Sequence, residues 1–97
     1  MNSYGKKYEG RSLEYLIISS KKNISRLENI RKNNLLLSDP RNIRSSDASK
    51  IIKENPGIYW LSYNVHGNEA SSTEAVMQVA YRLVSSNDSE TSNILNN

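Results

Sequence analysis

His66 and Glu69 are the residues of this sequence whose types and spacing can do chemistry. His66 is the one histidine among 97 residues, and Glu69 follows three positions later within HGNEASS, His66 to Ser72. Neutral imidazole and carboxylate are both ordinary zinc ligands, and a short loop can aim the two at one ion. A plainer role also suits them, a polar loop leading into a capped helix, because His-x-x-Glu alone is a weak pattern. On these positions alone both readings stay open.

The segments on either side decide how such a loop would be held. Ile58 to Val65, IYWLSYNV, is rich in β-branched and aromatic residues and apolar nearly throughout, which predicts a strand covered on both faces. After the loop, Ser71 to Glu74 has the spacing of a capping box. Val76, Val79, Ala80, Leu83 and Val84 then recur at helical spacing as a core-packing stripe that ends near Ser85 to Asn87. Strand, loop and helix in that order place His66 and Glu69 beyond the carboxyl end of a strand, where open α/β sheets bind ligands.

Upstream, Met1 to Ser20 reads as a hairpin or its second half. Gly5 and Gly10 bracket the polar turn Lys6 to Glu9, and an apolar run from Leu13 to Ile18 suits a buried strand whose partner would lie mostly before Met1. A helical period begins at Asn23, with Ile24, Leu27 and Ile30 on one face and Ser25 to Glu28 spaced as a capping box; Asp39-Pro40 ends it. Asp47 can cap a short helix carrying Ala48, Ile51 and Ile52, stopped by Pro56-Gly57, and Asp88 to Asn97 begins one more helix. The fold class is α/β, a partial mixed sheet with flanking helices. So little sheet would leave strand edges and apolar faces uncovered.

Composition bounds the rest. A chain of this length is one domain at most, and with no phenylalanine and one tryptophan its six tyrosines carry most of the aromatic packing. Cysteine is absent, which excludes disulfides and thiolate metal sites. The net charge of +3 divides into +7 through Lys53, from twelve cations and five acids, and −4 from Glu54 onward, from one cation and five acids. The basic part has no aromatic interleaving and reads as a solvated face, so no nucleic-acid partner is expected. Nothing approaches the length of a membrane span.

Two blocks resemble the zinc carboxypeptidases, the carboxypeptidase A-like metallopeptidases. YGKKYEGRSLEYLIIS, Tyr4 to Ser19, is similar to the family's Gly-x-Ser-x-Glu-Gly-Arg-x-Leu hairpin before an early strand. IYWLSYNVHGNEASSTEA, Ile58 to Ala75, is similar to the strand and loop that supply the first two zinc ligands. The resemblance implies a fragment of the zinc carboxypeptidase (phosphorylase/hydrolase-like) fold, with residues 1–97 the incomplete N-terminal part of its catalytic domain. It makes His66 and Glu69 ligands of Zn2+; that assignment comes from the family and not from the spacing. Asn68 stands where the digestive enzymes carry an arginine, although HGNE is familiar in the regulatory branch.

The activity implied is zinc-dependent hydrolysis of C-terminal peptide bonds in a peptide or protein substrate. A third ligand, a general-base glutamate and carboxylate-binding arginines are expected outside this chain, so no catalytic or substrate-binding residue is assigned within it and the chain alone should be inactive. Glu74 and Arg11 are better explained by the capping box and the hairpin. By resemblance the parent would be secreted or periplasmic. Two other readings remain: a zinc amidohydrolase of the aspartoacylase and succinylglutamate desuccinylase type, which shares an HGNE loop but lacks the GKKYEGR hairpin, and a non-catalytic binding module.

Overall fold

Strand β1 (Asn2–Lys6) runs antiparallel to β2 (Ser12–Tyr15), so the amino-terminal segment contains both arms of the expected hairpin. This is seen in a computed structural model that describes residues 2–97; the predicted start at Met1 lies outside them. Ser3 faces Glu14 and Gly5 faces Leu13, which leaves Tyr4 as the extra residue of a bulge. The Tyr4 and Tyr15 rings stack at a tilt, 6.3 Å between centroids. Gly10, at φ 78°, supplies the left-handed conformation that lets its N–H reach Lys7 O at 2.9 Å across the turn.

Five helices follow: α1 (Lys21–Ser25), α2 (Leu27–Ser38), α3 (Ser45–Glu54), α4 (Ala70–Ser85) and α5 (Ser89–Asn96). The helix expected from Asn23 is two, broken where Arg26 leaves helical geometry at φ −115°, ψ 19°. The Ser25–Glu28 capping box is not formed. Ser20 caps α1 by accepting from Asn23 N, Ser25 Oγ turns back to Lys22 O, and Glu28 instead takes both Arg31 nitrogens at 2.7 and 2.8 Å. Asp39-Pro40 does end α2, with a single 3-10 turn after it in which Asp39 accepts from Arg41 N. Asp47 sits in the first turn of α3 rather than at its cap and pairs with Arg44 at 2.8 Å. Asp88 caps α5 as an acceptor from Thr91 N at 2.7 Å and from Thr91 Oγ1 at 3.0 Å.

The largest departure from the sequence reading concerns the strands. Ile58 to Val65 joins no sheet among the described residues, the run after Tyr15 leaves the ladder, and the sheet is an antiparallel hairpin rather than a mixed sheet covered on both faces. The composition still favours a strand, but a strand exists only where a neighbour takes its N–H and C=O groups. Without one, Trp60 is 74% exposed and Tyr59, Leu61 and Val65 are exposed with it. The α4 stripe is likewise half covered: Val76, Ala80 and Leu83 are partly buried, while Val79 and Val84 are exposed.

Ile30, 4% exposed, is the one buried hydrophobic residue among those described. Polar contacts do much of the remaining joining. Asn33 Nδ2 donates to Asn55 Oδ1 at 2.9 Å, tying α2 to the end of α3, and buried Asn23 donates to Leu95 O and Asn96 O, tying α1 to α5. The accessible surface is 8222 Å², against about 5600 Å² for a compact protein of this mass. The radius of gyration is 16.5 Å, against about 12.5 Å for a compact 97-residue chain. The excess, about 2600 Å², is roughly three times what one partner buries in a standard protein interface. Uncovered strand edges and apolar faces are what so short a sheet predicts.

Candidate functional site

The loop holding His66 and Glu69 lies between the unpaired Ile58–Val65 segment and the first turn of α4, which begins at Ala70 directly after Glu69. Ser71 and Ser72 are therefore inside the helix. Glu69 occupies the N-cap position without a side-chain cap bond, so the Ser71–Glu74 capping box is not formed. Its carboxylate turns back into the loop. Oε2 accepts from His66 N at 3.3 Å and Oε1 lies 2.6 Å from His66 Nδ1, while Glu69 N reaches His66 O at 3.3 Å. The two residues singled out by chemistry thus touch each other.

An ionised carboxylate can only accept, so the 2.6 Å contact places a proton on His66 Nδ1. The hydrogen bond from the His66 ring, and after it the one from the His66 N–H, holds the Glu69 carboxyl below its ordinary value of 4.5. Solvent reaches both groups: the side chains are 74% and 37% exposed. Water can therefore compete for either partner, and the pair is an ordering contact rather than a buried ion pair.

The donor set fits part of a zinc site. Two ligands at about 2.0 Å from a tetrahedral zinc stand about 3.3 Å apart, so atoms now 2.6 Å apart need separate only slightly to share one ion. Occupying that place also requires Nδ1 to lose its proton, since metal ligation and protonation compete for the same lone pair. No cluster of three histidine, cysteine, aspartate or glutamate side chains able to hold a metal exists among the described residues. The loop thus offers two potential donors.

The other residues weighed from sequence lie apart from this chemistry. Arg11 pairs with Glu9 in the hairpin turn, as its structural reading expects. Glu74 is one turn into α4, and Asn68 lies in the turn between His66 and Glu69. A cleft of about 420 Å³ lined by Lys22, Arg26, Lys53 and Asn97 lies among α1, α3 and the end of α5, and neither His66 nor Glu69 contributes to it.

One residue of the loop escaped the sequence reading. Asn64 has φ 54°, the one positive value at a non-glycine residue among those described, and its Nδ2 donates to Thr73 Oγ1 at 2.6 Å. The available signal was its type: asparagine tolerates the left-handed region, and here it interrupts an apolar run two residues before a histidine.

The family model described as zinc carboxypeptidase matches residues 1–97, the whole chain. No curated protein and no solved structure matches.

Proposed function

The chain belongs to the zinc carboxypeptidase family, and from that premise we propose that it forms the amino-terminal part of a metallocarboxypeptidase domain, in which His66 and Glu69 are two of the three protein ligands of a catalytic zinc. The observation that carries this reading is the 2.6 Å approach of Nδ1 and Oε1 at the start of α4. Two potential donors three residues apart, on an accessible loop, are already close to the separation one ion requires.

A zinc ion there supplies Lewis acidity for hydrolysis of a peptide bond. The chain's own part is to present the two donors and to anchor the loop on α4. The third ligand, the general base and the groups that recognise a peptide's terminal carboxylate come from outside these residues. The uncovered apolar surface supports the same reading, since Ile58–Val65 and the outer face of α4 call for further elements of a domain.

Two ligands hold zinc weakly, because catalytic sites use three from the protein. Calorimetric titration of the 97-residue chain with Zn2+ should give a dissociation constant weaker than about micromolar, weakened further in His66→Ala and Glu69→Ala, and no release of C-terminal residues from a synthetic peptide. Zinc binding that ignores both substitutions would remove these residues from the site. Submicromolar binding abolished by His66→Ala would show that the chain supplies a complete ligand set.

A further inference from the structure

His66 and Glu69 are held by short-range contacts that leave open how the loop itself is fixed. Both side chains are accessible, so packing does not set their direction. The bonds inside the loop, His66 N to Glu69 Oε2, Glu69 N to His66 O and Ser72 N to Glu69 O, all join residues three apart. The link of longer reach is Asn64 Nδ2 to Thr73 Oγ1, 2.6 Å across nine residues. It joins the residue that enters the loop to the first turn of α4 and encloses both candidate ligands.

The backbone at Asn64 acts with that bond. Its φ of 54° turns the chain out of the extended segment and into the loop, in a conformation that most residues with a side chain disfavour and asparagine accepts. A glycine would accept the turn equally well but could not donate to Thr73. Asn64 therefore combines a permitted left-handed turn with a donor that reaches the helix.

We infer that Asn64 is a positioning residue for the metal loop: through Thr73 it fixes the entry of the chain relative to α4, and so the direction in which His66 meets Glu69. The inference rests on the reading of His66 and Glu69 as zinc ligands. It nonetheless predicts an effect without metal, because the His66 Nδ1 proton is kept in place by Glu69 only while the loop holds the two together. Outer partners that orient ligands are commonly worth tenfold or more in metal affinity.

Three variants of the 97-residue chain test it. Asn64→Gly keeps the turn and deletes the donor, Thr73→Val keeps the shape and deletes the acceptor, and Thr73→Ser keeps the hydroxyl. In metal-free protein at neutral pH, the imidazole nitrogen-15 resonances of His66 should report a ring protonated at Nδ1 in the parent and in Thr73→Ser. They should report a ring averaging between tautomers in Asn64→Gly and Thr73→Val. Competition titration with Zn2+ should show these two variants weakened about tenfold and Thr73→Ser within about twofold of the parent. Parent-like nitrogen resonances in Asn64→Gly and Thr73→Val would overturn the positioning role. If His66→Ala leaves zinc affinity unchanged while the nitrogen resonances still respond to Asn64→Gly, the ligand reading fails and the positioning of the pair stands.

Discussion

Replacing Asn23 with alanine should release α5 from the rest of the chain. Asn23 is 2% exposed and joins three segments. Its Nδ2 donates to Ser19 Oγ and Leu95 O at 3.2 Å and to Asn96 O at 3.4 Å, and its Oδ1 accepts from Arg26 Nε and Nη2 at 3.3 Å. These contacts are long and share donors, so each falls at the low end of net hydrogen-bond worth, about 0.5 kcal/mol, and the two that reach α5 contribute roughly 1 kcal/mol to its docking. No large orphaning penalty adds to this. Leu95 O keeps Ser20 N and Ser19 Oγ, each at 2.9 Å, and Arg26 Nη2 keeps Glu54 O at 3.0 Å. A loss of about 1 kcal/mol is roughly a fivefold rise in the undocked population of α5. Amide hydrogen exchange reads it directly: protection of α5 should fall by about that factor in Asn23→Ala and by a similar factor in Ser19→Ala, which removes the Ser19 Oγ bond to Leu95 O, about 1 kcal/mol, along with the one Ser19 accepts from Asn23. The amides of α4 should not change. If α5 keeps its protection to within about 1.5-fold in Asn23→Ala, packing rather than this polar network holds the helix.

Ile30→Ala removes the one buried hydrophobic side chain described and should cost about 3 kcal/mol; an unchanged thermal midpoint by circular dichroism would show that Ile30 is no core residue. The depressed Glu69 carboxyl orders its loop while ionised, so its contribution is complete above the unfolded value near 4.5 and is lost as pH falls through the lower folded value. Asp88, held at about 2 first by Ser86 Oγ and then by Thr91 N, should still cap α5 at about pH 3, so the Thr91 amide shift should hold down to that pH; its loss well above pH 3 would contradict the assignment. Trp60, the only tryptophan, should emit like a hydrated indole and be freely quenched by iodide; a blue-shifted, protected emission would mean that Ile58–Val65 is paired after all.

Local signals in the sequence were the legible ones. Asp39-Pro40 and Pro56-Gly57 stop helices because proline and glycine act on their own backbone, and Asp88 caps α5 because its acceptor needs only the next turn. The two capping boxes failed locally: Ser25 Oγ turned back to Lys22 O and Glu28 to Arg31, while α4 begins at Ala70 and takes Ser71 inside the helix. The strand reading of Ile58–Val65 failed for a different reason. A helix closes its hydrogen bonds within itself, whereas a strand depends on residues elsewhere, and the apolar run that signals it cannot say where they are. The proximity of His66 and Glu69 was legible from their spacing, but the Asn64–Thr73 link was not, because it depends on a left-handed turn that residue type permits without requiring.

On the proposed reading, the unpaired strand and the incomplete ligand set have one structural cause. In a sheet the residues beyond adjacent strand ends share a crevice, so a ligand at the end of Ile58–Val65 finds its companions on the strands beside it. Those neighbours would cover Trp60 and Leu61, supply partners for the segment's backbone, and bring a further donor to within reach of His66 and Glu69. The loop itself needs none of them to form: α4, the Asn64–Thr73 bond and the His66–Glu69 contact all arise within residues 64–85. If His66 and Glu69 are the ligands proposed, they are set in advance by local structure, while metal affinity waits on the long-range pairing that also closes the sheet.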